Sequence, residues 1–262
     1  MFFMTLLILF QTLNDWFRNN LLSLNLAKTH FIKFVTKNNS PTEINITYDD
    51  KQIPVLTSTK FLGLTVTCTL TWSNHTDFLT KKLIKTCYLI RSIKPYLSNS
   101  TLKMVYYALF HSTMSYGIIF WGNSPHSHGI FKMQKRVLRI LMGIGYRDSC
   151  RELFKEEKIL TLPSQYIFSL LLFVIRNMSL FVPNSVYHDI NTRQKNDLHV
   201  PHAHRTMYQK GVLYSGIKVF NALPSSIKTI SNNPKKFKAT LKRYLLSHSF
   251  YSVDEFFSEL KP

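Results

Sequence analysis

The spacing of apolar residues changes at Trp72, and this change predicts two kinds of structure in one chain. Before Trp72, runs of β-branched and aromatic residues between turn-forming residues predict short strands. These runs cover residues 31–35, 44–48, 53–56 and 61–66. After Trp72, apolar residues recur about every 3.6 positions, which is typical of helices packed on one face. We therefore expect an α+β fold, with a small N-terminal antiparallel sheet followed by a mostly helical remainder.

Prolines, glycines and capping residues divide the first helical part into segments. Asn74 can begin an amphipathic segment that Pro95 ends, and Asn99 or Ser100 can cap the next one. A third segment ends before Gly143, a residue type that commonly follows a helix. The short links between the segments predict a small bundle. The residues expected to face inward include Phe78, Leu83, Leu109, Phe110 and Met133.

The remaining residues predict a less regular, helical extension. Pro163 opens an apolar helix that runs to about residue 177, and residues 184–209 have the polar composition of a long loop. A last helix begins near Asn233, with Pro234 at its first position. The domain organisation that follows is residues 1–72 for the sheet, 73–146 for the bundle and 147–262 for the extension.

An excess of positive charge predicts a polyanionic partner. Lys and Arg number 33 against 14 Asp and Glu, which gives a formal net charge of +19. Such a charge attracts nucleic acid first and an acidic membrane surface second. Each basic group on the predicted helices is either a phosphate-binding stripe or an ordinary solvated face. The groups are Lys81, Lys82 and Lys85; Lys132, Arg136 and Arg139; and Lys235, Lys236, Lys238, Lys242 and Arg243.

Cysteine and histidine patterns predict neither a disulfide framework nor a metal site. The 3 cysteines are far apart and include no CxxC pair, which favours an intracellular location, nuclear or cytoplasmic. His199, His202 and His204 fall in a polar loop with no cysteine nearby, so we expect no metal there. No hydrolase, zinc-protease, dinucleotide or P-loop motif occurs. Aromatic side chains can stack on bases, but the helical spacing of these residues favours packing in the core instead. The candidates are Tyr88, Tyr106, Tyr107 and Trp121.

Residues 1–10, MFFMTLLILF, are strongly apolar. They lack the basic leader and the small-residue cleavage site of a signal peptide, and they are long enough to span only about half of a bilayer core. We expect a buried helical face that continues to Leu13, Trp16 and Phe17, no stable membrane insertion and no secretion. The alternative is a peripheral membrane anchor formed by residues 1–10.

Short motifs spread over nearly the whole chain are specific in combination. They are Trp16-Phe17, Asn19, Leu21, Leu24-Asn25, Lys28-Thr29, Ile32 and Phe34; Lys60-Phe61-Leu62-Gly63-Leu64, Leu70-Thr71-Trp72 and His75; Tyr116-Gly117, Trp121-Gly122 and residues 133–139; and Asn191-Thr192-Arg193, Asn221-Ala222-Leu223-Pro224, Phe237-Lys238 and Leu241-Lys242. Together they resemble the region that follows the catalytic strands in the reverse transcriptases of non-LTR (LINE-like, jockey-type) retrotransposons.

The resemblance implies a palm remnant, a helical thumb and a C-terminal extension. It implies a primer-grip-like hairpin at Phe61, Leu62, Gly63 and Leu64. The implied partner is an RNA or DNA template–primer, or the RNA of the element itself. Thr67 stands where the family usually has aspartate, which affects the expected turn geometry. The candidate nucleic-acid-binding residues are Lys28, Lys60, Lys81, Lys82, Lys85, Lys132, Arg136 and Arg139.

Polymerisation in this family uses two metal ions, Mg²⁺ in the full-length proteins, held by carboxylates of an early palm strand and of a Y-x-D-D turn. The resemblance implies that both lie before the region matched from Trp16 onward. We therefore expect no catalytic residue, metal site or cofactor in this chain. Asp49-Asp50 is not a substitute, because Tyr48 is one place too close and the pair follows Lys28-Thr29. We expect a hairpin turn there instead.

Three functions remain open at this stage. The first is a reverse-transcriptase fragment that retains nucleic-acid binding but not catalysis. The second is a non-catalytic basic nucleic-acid-binding or scaffolding protein derived from a retroelement. The third is a peripheral membrane protein anchored by residues 1–10. The sequence leaves the oligomeric state open.

Overall fold

The computed structural model describes residues 2–36, 45–48, 51–187 and 197–259. The described residues are mostly helical and include two antiparallel sheets of two strands each, which confirms the α+β expectation. The chain divides into two compact units, Met1–Asn74 and His75–Pro262. The ranges 73–146 and 147–262, expected as separate domains, therefore lie almost wholly in the second unit.

The first unit combines one long helix with two short hairpins. Its elements are α1 (Phe2–Asn19), β1 (Thr47–Tyr48), β2 (Lys51–Gln52), β3 (Ser58–Phe61) and β4 (Leu64–Thr67). β1 pairs with β2, and β3 pairs with β4 from Ser58↔Thr67 to Phe61↔Leu64. A small apolar core holds this unit together, because removal of these side chains from water is favourable. It consists of Ile46, Tyr48 and Ile53, with Phe10, Leu24, Leu26 and Phe31 packed against it.

The strand predictions before Trp72 need three corrections. Residues 53–56 do not form a strand: Val55 makes only an isolated bridge, and the strand at this point is β2 at Lys51–Gln52. Residues 31–35 do not form a strand: Phe31 makes one parallel bridge with Val55 and nothing more extended. Residues 61–66 are not one strand but the two sides of a hairpin. Its turn is Leu62-Gly63, with φ of 45° and 81°, the left-handed pair that a tight two-residue hairpin requires. Gly63 thus supplies the second residue of the turn, within the four residues for which the resemblance implies a primer grip.

Two other sequence predictions lie outside the described residues. They are the hairpin turn at Asp49-Asp50 and the motif Asn191-Thr192-Arg193. The expected polar loop at residues 184–209 is described in part, and it includes two one-turn helices at its ends.

The second unit is built from helices that follow one another closely. They are α2 (Ser73–Ile93), α3 (Asn99–Val105), α4 (Ser112–Ser115), α5 (Ile118–Trp121), α6 (Ser127–Met142), α7 (Arg151–Glu156), α8 (Leu162–Arg176), α9 (Asn184–Tyr187), α10 (Thr206–Gln209), α11 (Val212–Asn221), α12 (Ser225–Lys228), α13 (Pro234–His248) and α14 (Val253–Glu259). A 3₁₀ turn at Lys94–Tyr96 follows α2, and a π-helical segment at Tyr106–His111 joins α3 to α4.

Local capping chemistry explains several of these boundaries. Asn233 accepts a hydrogen bond from the Lys236 backbone N–H at the start of α13, and Pro234 opens the helix as predicted. At the C-terminal end of a different helix, α6, Gly143 adopts φ of 71°, the left-handed conformation that commonly ends helices. The N-cap of α3 is Ser98, one residue before the predicted Asn99.

The core of the second unit surrounds α8. This helix is buried over most of its length and packs against α5, α11 and α13. An amphipathic surface helix would carry polar residues along its exposed side, so the apolar run from Tyr166 to Ile175, interrupted only by Ser169, reflects burial on several sides. Within the described part of the chain, no helix combines the length and the apolarity needed to cross a membrane.

The buried helical face expected at Leu13, Trp16 and Phe17 is wrong: in α1, Leu13 and Trp16 are exposed and Phe17 is half-buried.

Some residues of the helical unit that were expected to face inward do not. Phe78 and Leu109 are exposed and Met133 is only half-buried, whereas Leu83 and Phe110 are fully buried as expected. Leu109 lies in the π-helical segment, where hydrogen bonds from i to i+5 shift the faces away from the 3.6-residue period. The short helix α14 was not predicted, because seven residues are too few for a clear periodicity.

Candidate nucleic-acid interface

The basic stripe on α6 lies opposite its buried face. Ile130, Val137 and Leu141 are buried on one side of the helix. Lys132 is exposed on the other side, and Arg136 and Arg139 are half-buried there. The positive charges are close enough to influence one another. Burial, followed by the charges of Arg139 and Lys132, holds the pKa of Lys135 below its ordinary value.

The ends of α2 and α6, with the residues that follow each helix, line an open cleft of about 530 Å³, which we call the α2–α6 cleft. Four of the residues that line it are cationic, and none of these described lining residues carries a carboxylate. The complete lining consists of Arg91, Lys94, Arg136, Arg139, Ile140, Gly143, Ile144 and Tyr146. Residues far apart in sequence thus converge on one positively charged concavity.

Two of the four cations are held in place by backbone carbonyl groups. Lys94 Nζ donates to Ile140 O at 2.6 Å, and Arg139 Nε and Nη2 donate to Asp148 O at 3.0 and 2.7 Å. Ile140 is in the last turn of α6, where carbonyl groups lack helical partners and favour a cation. These bonds join the end of α2 and the loop after α6 to the cleft.

The other two cations of the cleft are Arg91 and Arg136. Among the described residues, neither guanidinium has a hydrogen bond or an ion pair. Both act on the buried thiol of Cys87, which lies on the inward face of α2. Burial raises the pKa of that thiol to about 11, and the charges of Arg136 and Arg91 oppose this rise.

Apart from Arg136 and Arg139, the sequence-predicted binding residues lie outside the cleft. Lys81, Lys82 and Lys85 are exposed on α2. They precede Arg91 by six to ten residues, which corresponds to about 9–15 Å along the helix axis. Lys28 and Lys60 belong to the first unit and are exposed there. In the hairpin of that unit, Phe61, Leu62 and Gly63 are exposed and Leu64 is half-buried.

Among the cationic and aromatic residues of the cleft, sequence reasoning missed Arg91, Lys94 and Tyr146. Arg91 is on α2, but at about 100° per residue it points roughly 80° away from Lys81 and 180° away from Lys82, so the helical period does not add it to their basic face. Lys94 and Tyr146 lie outside regular helices, and no periodicity identifies them. Of the aromatic candidates for stacking, Tyr106 and Trp121 are buried core residues, whereas Tyr88 is exposed.

The histidine and acidic side chains of the described residues are scattered or paired. Within the described residues, no group of three His, Cys, Asp or Glu side chains is placed to hold a metal ion. The rings of His202 and His204 lie 4.3 Å apart, and both side chains are exposed. Glu157 and Glu255 are in ion pairs, with Lys103 and Arg151 respectively.

Comparison with known proteins adds no assignment. No family model, no curated protein and no solved structure matches this chain. A functional conclusion must therefore come from the geometry of the described residues and from the motifs in the sequence.

Proposed function

We propose that this chain binds nucleic acid, with the α2–α6 cleft and the basic stripe of α6 in contact with backbone phosphates. The observation that carries the proposal is the convergence of four cations on one cleft, two of them without partners among the described residues. A guanidinium presents a planar fork of donors that matches two phosphate oxygens. The net charge of +19 adds long-range attraction toward a polyanion.

We propose an RNA or DNA template–primer as the ligand, on the basis of the resemblance to non-LTR retrotransposon reverse transcriptases. In that interpretation residues 1–72 correspond to a palm remnant with a primer-grip hairpin and residues 73–146 to a thumb. Residues 147–262 correspond to the C-terminal extension. The chain would retain affinity for the template–primer without polymerising by itself. The support for this interpretation is the set of sequence motifs, together with the basic cleft in the expected thumb.

The binding proposal is tested by fluorescence anisotropy with a labelled RNA–DNA template–primer at several salt concentrations. The variant Arg91→Gln/Arg136→Gln removes the two unpartnered cations. The matched control Lys235→Gln/Lys238→Gln removes two exposed charges from α13. We expect the cleft variant to weaken binding at least about tenfold and to reduce the salt slope by about one to two. The control should change affinity no more than about twofold.

Two outcomes would contradict the proposed interface. One is equal weakening by the cleft variant and the α13 control, which would indicate a diffuse effect of charge. The other is binding by the wild-type protein that does not depend on salt. Because the cleft variant could disturb the packing of α2 on α6, thermal unfolding of each variant is measured in parallel. Arg91→Lys/Arg136→Lys, which retains charge, should keep most of the salt dependence.

The absence of polymerisation is tested with the same template–primer, dNTPs and Mg²⁺ or Mn²⁺. Incorporation above that of a protein-free reaction would contradict the proposal that the chain binds without polymerising. Phosphatidylserine vesicles provide the membrane comparison. Binding to vesicles, with no binding to the template–primer, would instead favour the peripheral membrane function.

A further inference from the structure

The loop after α6 presents an aromatic ring at the rim of the α2–α6 cleft. Tyr146 lines the cleft and is 83% exposed. Its loop is tied down on both sides: Gly145 N donates to Asp148 Oδ2 at 2.7 Å, and Arg139 donates twice to Asp148 O. The ring is therefore displayed to solvent from a hydrogen-bonded loop. Among the described residues it has no ring partner.

A second exposed tyrosine, Tyr88, lies on α2 close to Arg91, one of the cations of the cleft. Tyr88 is 73% exposed and precedes Arg91 by three residues, so both side chains lie on neighbouring positions of one helix surface. Arg91 thus has one exposed ring a turn earlier on its own helix and another across the cleft. Ile140 and Ile144 add apolar surface to the cleft lining beside Tyr146.

This combination suits an unpaired nucleotide better than a base-paired one. A duplex offers its phosphates to the outside but keeps its bases stacked inside, so an exposed ring beside a phosphate-binding arginine gains little from it. An unpaired base offers a flat face that stacks on an aromatic side chain. The cleft volume of about 530 Å³ is also within the usual range of small-ligand sites.

We infer that the α2–α6 cleft binds an unpaired nucleotide of a nucleic-acid strand, with its phosphate between Arg91 and Arg136 and its base against Tyr146. The inference rests on the proposed function and specifies its ligand: single-stranded RNA or DNA, or a single-stranded overhang beside a duplex. Tyr88 is placed to stack on a neighbouring base of the same strand. The guanidinium groups supply affinity for any strand, and the tyrosines supply the preference for unpaired bases.

The test compares three labelled ligands of equal phosphate number: a single strand, a blunt duplex, and a duplex with an overhang. We expect Tyr146→Ala to weaken binding of the single strand and the overhang duplex about tenfold. The same change should alter binding of the blunt duplex less than about twofold. Tyr146→Phe, which keeps the ring, should remain within about twofold of wild type for all three ligands.

Tyr96→Ala is the matched control. Tyr96 is 85% exposed, comparable to Tyr146, but it does not line the cleft. We expect this variant to bind all three ligands with unchanged affinity. Because both tyrosines are exposed, neither variant should lower the thermal midpoint by more than about one or two degrees.

The possible failures are distinguishable. If the wild-type protein binds none of the three ligands, the proposed function itself is wrong. If it binds all three with equal affinity and Tyr146→Ala changes nothing, nucleic-acid binding stands but the preference for an unpaired nucleotide is wrong. If Tyr96→Ala weakens binding as much as Tyr146→Ala, the base does not stack specifically at the cleft, and the inference is also overturned.

Discussion

At the scale of single residues, Gln134 is a polar side chain enclosed by the helical unit. It is fully buried on the inward face of α6. Its Nε2 donates to Tyr106 Oη at 3.1 Å and to Leu160 O at 2.8 Å. One amide group thereby joins α6 to the π-helical segment and to the chain before α8. Buried polar groups of this kind stabilise a fold only while their partners remain paired.

Replacing Gln134 tests this connection. Gln134→Met keeps the volume but removes the donor, so Tyr106 Oη and Leu160 O lose a partner inside the core. We expect the free energy of unfolding in urea to fall by about 1–3 kcal/mol. Tyr106→Phe removes the hydroxyl that accepts the hydrogen bond from Gln134, and it should lower the free energy of unfolding by about 1 kcal/mol.

The double variant provides the control. Gln134→Met/Tyr106→Phe leaves no unpaired hydroxyl, so its cost should be smaller than the sum of the two single costs. Strict additivity would mean that the Gln134–Tyr106 hydrogen bond does not contribute, and it would contradict this account of the core.

At the scale of secondary-structure elements, two glycines of α6 have opposite roles. Gly143 has φ of 71°, and a Cβ there would lie 2.8 Å from Lys94 Nζ. Gly129 lies within the helix, and a Cβ there would meet nothing within 4 Å. The first glycine is required by the left-handed cap and by the close approach of Lys94, which lines the cleft. The second is only a flexible position in a helix.

The two alanine substitutions should therefore change stability in opposite directions. Gly143→Ala forces alanine into the left-handed region and displaces Lys94 Nζ, so we expect a loss of about 1–2 kcal/mol. Gly129→Ala should increase the free energy of unfolding by about 0.5–1 kcal/mol, because alanine has the higher helix propensity. Urea unfolding of both variants measures this. A gain for Gly143→Ala would contradict the cap.

The accuracy of the sequence predictions differs between helices and strands for a physical reason. Helices such as α2, α8 and α13 were predicted because their capping residues and their apolar period are local signals. The strand expected at residues 31–35 was wrong, because a strand exists only if distant backbone groups pair with it. Phe31 finds a single bridge partner, Val55, and the rest of that segment pairs only in isolated bonds.

At the scale of the whole molecule, one buried and one half-buried histidine couple stability to pH. Burial holds the pKa of both His75 and His111 below the ordinary value. His75 lies against Trp121, with ring centroids 6.0 Å apart, and His111 bonds to Gln165 at 3.2 Å. The unfolded chain, with ordinary histidine pKa values near 6.5, binds these protons more readily than the folded one.

The stability of the protein should therefore fall as the pH falls below about 6.5. We expect the free energy of unfolding to decrease between pH 7.5 and pH 5.5, by at most about 1.4 kcal/mol per pH unit for each histidine. His111→Gln should reduce this slope, because one of the two groups no longer titrates. Urea titrations across this range measure it, and a stability that rises towards pH 5.5 would be the opposite of the expected sign.

The candidate site was predictable only in part. Arg136 and Arg139 were found because helical spacing puts them in one stripe. Their convergence with Arg91 and Lys94 was not found, because it depends on how α2 and α6 pack. Lys81, Lys82 and Lys85 looked equivalent in sequence, yet they lie outside the cleft.

The amino-acid sequence determined what depends on neighbours along the chain: the helical segments, their caps at Asn233 and Gly143, and the net charge of +19. Tertiary structure alone decided which cations share a cleft and which tyrosines are exposed. Tyr106 is buried and Tyr146 is exposed, although both are the same residue type. The reason is that periodicity places a side chain on a face of its own helix, whereas packing between helices decides what that face meets.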